Sequence, residues 1–505
     1  MTLLTDSLDR DLVGFPEFKL MHFEGRDYTN LHIYSESCRI GNALRELGLQ
    51  AGDVLLIHTE NIPEFIFLFG ACAKTGVVFC PTLFLISAEE LSWIAEHCEA
   101  KWVVTTPNLL PKVRTACSRL LEKGRVILCE GEESGLVSLS DLTRDQPEEL
   151  PTSREMGEDD TAALLYTSGT TGKPKGVMLT HRNLGSNARS TAETNRMTRG
   201  EVALSALPLT HSYGLTMSLV PPLVGLYCVL VRWFDAEDIF AYTESHHITT
   251  MTGVPAMYIQ LLNHPRAPQY NVRSWKRLLS GAAPLPEEVL LAFREKFGVY
   301  IYEGYGLTEA SPVVSCQRPD IPLKPGSVGP PIKGVEVSIR DEFERVLPAG
   351  SPGEICVRGP NVMKGYFKDP EETEKALRGG WLHTGDIGYL DEDGYLYIVE
   401  RKKDLIISGG FNLYPSEVEQ VLERHPAVRE VAVVGEPDPI RGEVVHAFVV
   451  LEEGLEASEA ELIEFARNSL VYYKVPHRVS FLDEMPRTFL GKASKKELRE
   501  RLLHR

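Results

Sequence analysis

The sequence predicts an α/β fold: a large N-terminal domain of layered, mostly parallel sheets with helices, a β-rich subdomain, and a small α+β C-terminal domain. Three observations predict it. From about Asp53 short apolar runs alternate with longer amphipathic ones, and strands alternating with helices imply a largely parallel sheet covered on both faces. Between about Ser327 and Tyr397 the helical segments thin out, and glycines, prolines and alternating strands take over. After Arg401-Lys402-Lys403-Asp404 the texture changes again, which places a boundary between domains 1–402 and 403–505.

Taken in order, VLLIH reads as a strand, IPEFIFLFGACAKTG as a helix, and VVFCP, KWVVTT and RVILC as further strands. The most apolar run, Leu215 to Val231, is broken by Ser218, Pro221, Pro222 and Gly225. It falls short of the ~20 residues that would span a bilayer, so it reads as buried core. VEVSI and GEICVRG are strands of the β-rich stretch. Ser416-x-x-Glu419 and Ser458-x-x-Glu461 read as capping boxes, each opening a helix, with strands VREVAVVG and EVVHAFVVLE between them.

Composition narrows the function. Hydrophobic residues at 43% and charged residues at 25% exclude disordered, collagenous and disulfide-scaffold classes. The 505 residues carry a formal net charge of −18, which repels polyphosphate at long range. Nucleic acid is therefore not an expected partner, and an anionic ligand needs its own local cations. Nine cysteines without a C-x-x-C fit a reduced setting. The opening MTLLTDSLDRDLVGF has acids where a secretory signal would be basic, so a cytoplasmic chain without a transmembrane segment is expected.

Residues 166–177 read Tyr-Thr-Ser-Gly-Thr-Thr-Gly-Lys-Pro-Lys-Gly-Val after the apolar run AALL. Thr167, Ser168, Thr170 and Thr171 offer hydroxyl donors, glycines such as Gly169 let backbone N–H groups approach, and Lys175 is one of two cations. This is the composition of a polyphosphate cradle. It is not a Walker A loop, which needs Gly where Thr167 stands and Ser/Thr where Pro174 stands.

The same stretch resembles the signature of the AMP-binding, acyl-adenylate-forming superfamily, which includes acyl- and aryl-CoA synthetases, peptide-synthetase adenylation domains and beetle luciferases. Further matches follow in the family's order: LPLTHSYG (207–214), SGAAPLP (280–286), EGYGLTEASP (303–312), GEICVRGPNVMKGY (353–366), HTGDIGYLDEDGYLYIVERKKDLIISGGFNLYPSEVE (383–419) and PRTFLGK (486–492). The resemblance implies two steps. A carboxylate attacks the α-phosphate of ATP to give acyl-AMP and pyrophosphate; a thiol, usually that of coenzyme A, then displaces AMP.

Each role below is what the resemblance implies. Glu309, with Thr167, binds Mg²⁺ against the phosphates, a task for hard oxygen ligands. Thr308 hydrogen-bonds the α-phosphate. Tyr305, between Gly304 and Gly306, stacks on adenine, with Gly281, Ala282, Ala283 and Glu303 around the purine. Asp386 accepts from both ribose hydroxyls, and Arg401 adds a ribose or phosphate contact. Lys492 bridges carboxylate and α-phosphate oxygens during adenylation. Lys403 is the pivot of a mobile C-terminal lid domain and departs from the Asp common in relatives. Ser408, Gly409 and Gly410 line a pantetheine tunnel. His211 gates an apolar acyl pocket adjoining Tyr213, Gly214, Thr252, Gly253, Val254, Met257 and Gly281.

These expectations describe an AMP-forming acyl-CoA synthetase using ATP, Mg²⁺, coenzyme A and an apolar monocarboxylic acid, a medium- or long-chain fatty acid ahead of an aryl acid. Alternatives are an aryl-CoA ligase and a freestanding adenylation enzyme that loads an acyl carrier protein. The sequence is silent on oligomeric state and leaves a homodimer open.

Overall fold

A computed structural model describes residues 12–151, 156–167, 174–408, 411–438, 441–472, 474–487 and 493–503. The chain divides into two compact units. One holds residues up to Val337 with Val357–His383; the other holds Ser338–Cys356 and the chain from Thr384 onward.

The first unit is built on two eight-stranded sheets. In one, the parallel strands Ile301–Gly306, Arg277–Ser280, Thr250–Gly253, Val202–Ser205, Tyr227–Leu230 and Lys19–Phe23 lie side by side, with antiparallel Val313–Cys316 and Arg26–Thr29 at the edges. In the other, Thr161–Thr167, Val78–Pro81, Val54–His58, Trp102–Thr105, Val126–Leu128 and Val137–Ser138 run parallel. The expected strands and the helix Pro63–Thr75 are all present. These runs are rich in Val, Ile and Leu because strands buried on both faces have no solvent side to make polar.

Strand register makes the two faces of the first sheet unlike. Leu204, Met251, Leu278 and Ile301 align across the strands and enter a large core with Phe240, Tyr258 and Phe293. One residue out of phase, on the other face, stand the small side chains Ala203, Ser205, Cys228, Thr250 and Thr252. The apolar run that begins at Leu215 folds as the helix Ser212–Val224 followed by the strand Tyr227–Leu230. No helix among the described residues is long and apolar enough to cross a membrane, and all nine cysteines are free.

The second unit carries a four-stranded sheet, Glu336–Arg340, Gly353–Arg358, Leu382–Leu390 and Leu396–Arg401, which is the β-rich stretch of the sequence. A five-stranded sheet follows, led by the long antiparallel pair Val428–Asp438 and Gly442–Leu451. Ser458 does form a capping box with Glu461 at the helix Glu459–Arg467. Ser416 does not. Its helix, Pro415–Leu422, starts on Pro415 with Tyr414 at the cap, because proline suits the first helical turn. Ser416 is thereby moved inside the helix, where its hydroxyl donates to the carbonyl of Val399 at 3.2 Å.

Candidate active site

The signature stretch is the tip of a hairpin. Thr161–Thr167 and Lys175–Thr180 pair antiparallel, with Tyr166 opposite Gly176 and Thr167 opposite Lys175. Strand rather than helix follows the loop, in keeping with the failure of the Walker pattern. Ser168, Gly169, Thr170 and Thr171 lie outside the described residues. Lys175 Nζ sits 2.5 Å from Glu372 and 5.1 Å from the centre of the Tyr366 ring. The Lys175 ammonium, with Lys375 beside it, holds the Glu372 carboxyl down to about 2.

Thr308 and Glu309 lie in the 3₁₀ turn Thr308–Ala310, between the strands Ile301–Gly306 and Val313–Cys316. Buried neutral side chains pin this turn through its main chain. Asn361 Nδ2 donates to the Ala310 carbonyl at 2.9 Å, Asn187 Nδ2 donates to that of Val313 at 2.7 Å, and the Thr216 hydroxyl donates to that of Ser311 at 2.7 Å. The Tyr366 hydroxyl donates to Glu309 Oε1 at 2.9 Å, and Thr308 Oγ1 is 3.1 Å from Ser212 Oγ. One continuous path therefore runs from Lys175 through Tyr366, Glu309 and Thr308 to Ser212, the first residue of the helix Ser212–Val224.

Beside this path the backbone is crowded. A Cβ at Gly306 would stand 2.2 Å from the Pro312 carbonyl oxygen, so only glycine fits there. Gly304 faces Cys316 and half-buried Tyr305 faces Ser315 across the strand pair. Gly281 donates its N–H to Gly253 at 3.2 Å, and a Cβ on it would meet the Tyr213 ring at 2.9 Å. Ala282 takes a left-handed conformation, φ 66°, uncommon for a residue with a side chain, and Ala283 follows it. Glu303 is buried and accepts from the Leu285 N–H at 3.1 Å, bracing the 281–285 loop; burial pushes its carboxyl up to about 7. His211 caps the helix Ser212–Val224, its Nδ1 accepting from the Tyr213 N–H at 3.2 Å, so the imidazole is neutral and carries its proton on Nε2. Burial pushes it down to about 4.

In the second unit Asp386 and Arg401 face each other across paired strands, with Arg401 Nε 3.3 Å from Asp386 Oδ1. Asp386 is buried, and its N–H donates to Thr384 Oγ1 at 3.1 Å. Lys403 lies in the 3₁₀ turn Lys402–Asp404. Ion pairs surround that turn. Lys402 reaches Glu354 at 3.0 Å, Arg499 reaches Asp404 at 2.8 Å, and Lys495 stands 3.5 Å from Glu400 and 3.0 Å from Glu419. Ser408 is buried, its backbone opposite Phe411 and Gly442. Gly409, Gly410 and Lys492 lie outside the described residues.

Among the described residues no group of three or more His, Cys, Asp or Glu side chains is placed to hold a metal ion. The Glu309 carboxylate is the hard oxygen donor that suits Mg²⁺, which takes few protein ligands and completes its shell with phosphate oxygens and water. Sequence reasoning passed over Tyr366, Ser212 and Glu372. Tyr366 closes the motif GEICVRGPNVMKGY and Ser212 follows His211, so each carried a signal but no role.

Comparison with known proteins now decides the family. Residues 8–367 match the family model described as AMP-binding enzyme, and residues 417–492 match the AMP-binding enzyme C-terminal domain. The chain belongs to the AMP-binding enzyme family. A long-chain-fatty-acid–CoA ligase of Bacillus subtilis (strain 168) is 36% identical, with 99% of this chain and 94% of that protein covered. A feruloyl-CoA synthase of an Amycolatopsis species is 37% identical, with 96% of each covered. Among solved structures, ATP-bound MatB from Rhodopseudomonas palustris superposes with a TM-score of 0.89 at 32% identity, covering 99% of both chains. This AMP-binding enzyme is thus of the acid–thiol ligase class, as its curated relatives are.

Proposed function

We propose that this enzyme is an AMP-forming acyl-CoA synthetase for an apolar monocarboxylic acid, with a medium- or long-chain fatty acid favoured over an aryl acid. The observation that carries the reading is the path from Lys175 to Ser212, which sets a cation, a carboxylate and three hydroxyls in one row at the start of a buried apolar helix. Such a row suits a reaction that joins two anions, where positioning and charge neutralisation supply most of the rate.

In the first step an acid oxygen attacks the α-phosphorus of ATP while the bond to pyrophosphate breaks. Thr308 donates to the α-phosphate and Lys492 offsets charge on the same oxygens. Glu309 and Thr167 would hold Mg²⁺, which would supply Lewis-acid polarisation of the phosphates. Tyr366 orients the Glu309 carboxylate by its hydrogen bond. Lys175 leaves Glu372 for phosphate, an exchange of one anion partner for another. Tyr305 stacks on adenine and Asp386 takes the ribose hydroxyls, with Arg401 facing it across the strand pair. In the second step the chain turns about Lys403, and the thiol of coenzyme A enters past Ser408, Gly409 and Gly410 and displaces AMP from the acyl carbon.

A second reading, an aryl-CoA ligase, is favoured by the likeness to a feruloyl-CoA synthase. The deciding experiment is pyrophosphate release across acids from acetate to palmitate plus benzoates and cinnamates, with coenzyme A as sole acceptor. Turnover that is greatest for alkanoates supports the proposal. Preference for the ring acids replaces it with the second reading, and dependence on an added carrier protein replaces the acceptor.

A further inference from the structure

In the second unit the strand that ends at Ser408 is short and lightly held. Ile406–Ser408 pairs with Phe411–Leu413, and against the long strand Gly442–Leu451 it makes a single register pair among the described residues, Ser408 with Gly442. Ile406 is buried in the core with Leu413 and Val445, whereas the Ile407 side chain is 55% exposed. The Ile407 main chain is reached by a carboxylate: Glu443 Oε2 accepts its N–H at 2.8 Å. That carboxylate gets there across Gly435. The two residues are diagonal neighbours on one face of the antiparallel pair, Gly435 standing opposite Val445 and Glu443 opposite Pro437. A Cβ on Gly435 would lie 2.6 Å from Glu443 Oε1 and 2.7 Å from its carboxyl carbon, so the missing side chain is what leaves the carboxylate its room.

We propose that Glu443 is a positioning residue for thioester formation. Its carboxylate, seated over Gly435, holds the main chain at Ile407 and so sets where Ser408 stands, beside the path by which the coenzyme A thiol enters in the proposed second step. The proposal rests on the acyl-CoA synthetase reading and adds to it a residue that acts through the main chain of another. A charged acceptor suits the task, because the bond lies at the surface and a carboxylate binds an N–H more strongly than a neutral oxygen does. Gly442 completes the arrangement. At φ 80° it turns the chain into the long strand beside Ser408, and a Cβ there would press to 3.3 Å on the Ile407 carbonyl oxygen. Both polar groups of the Ile407 peptide are thus bounded, the N–H by Glu443 and the carbonyl by Gly442.

The test reads the two half-reactions separately on the full chain: pyrophosphate–ATP exchange with the acid turned over fastest, and thioester formation from its synthetic acyl-AMP and coenzyme A. Glu443→Ala removes the acceptor. Gly435→Ala keeps Glu443 but fills its seat, at a position where the backbone is not left-handed and alanine is unstrained. Each is expected to slow thioester formation about ten-fold, the scale of one hydrogen bond to a charged group, and to leave exchange near the wild-type rate. Glu443→Gln retains an oxygen that accepts the N–H and is expected to recover most of the loss. The double variant Gly435→Ala/Glu443→Ala is expected to be no slower than either single one, because both remove the same contact. Equal loss in both half-reactions, additive losses in the double variant, or thioester formation at the wild-type rate in both single variants would overturn the positioning role and leave the synthetase reading standing. If the wild-type chain forms no thioester with coenzyme A, the synthetase reading fails and the positioning role falls with it.

Discussion

The Thr308–Ala310 turn, proposed for phosphate binding, and the Lys402–Asp404 turn, proposed as a pivot, are held by opposite kinds of bonds. Around the first, Asn187, Thr216 and Asn361 are buried and donate neutral hydrogen bonds to main-chain carbonyls. Around the second, Lys402–Glu354, Arg499–Asp404 and Lys495 with Glu400 and Glu419 are ion pairs. The Lys402 side chain is half exposed and those of Lys495 and Glu419 are largely buried. Neutral bonds to backbone fix a geometry regardless of salt. A pair with a half-exposed partner such as Lys402 is screened by water and re-forms readily with other partners. The difference suits the proposed phosphate platform in one region and the proposed pivot in the other.

The largest expected effect breaks the rigid side at its chemical end. Glu309→Gln keeps the shape and removes the charge, and pyrophosphate–ATP exchange is expected to fall about 10²–10³-fold, the scale of losing one preorganised electrostatic contact. Thermal unfolding should barely move. A loss of exchange below about three-fold would take Glu309 out of the phosphate site.

Next is the cation at the centre of the pivot side. Lys495→Met leaves Glu400 and Glu419 facing each other without a counter-charge, at a cost of about 3 kcal/mol in urea unfolding. Adding Glu419→Gln should recover part of it. If the single variant is as stable as the parent, the ion pairs do not hold this region.

The smallest effect sharpens the comparison through pH. Burial raises Glu303 from 4.5 to about 7, so the folded chain holds this proton more tightly than the unfolded chain. Its contribution is complete below the unfolded value and is lost as pH rises through the folded one, at most about 3 kcal/mol. Glu303→Gln should flatten the melting temperature between these limits relative to the parent. An unchanged pH slope would show that Glu303 stays ionised in its brace on Leu285. His211 runs oppositely, since its lowered value makes it cost stability as pH falls from 6.5 to about 4.

Much of the fold was legible because strand and helix periods are local. VLLIH, VREVAVVG and the Ser458 box folded where their patterns place them. The Ser416 box failed for an equally local reason, since Pro415 outcompeted it for the first helical turn. The site was legible in its motifs and not in its wiring. Tyr366 and Glu309 are 57 positions apart and Lys175 and Glu372 are 197 apart, and no spacing rule connects such pairs.

By itself the amino-acid order determined the layered α/β class, the adenylate-forming family and the identities of the chemical groups, because those depend on short-range patterning and on residue types met in a set order. Tertiary structure alone decided that Tyr366 bonds Glu309, that Glu372 holds Lys175, and that small side chains share one face of a sheet and line a cavity under Met217, Val220 and Pro221. Strand register and long-range packing create those contacts, and both are set by which distant segments fold against one another.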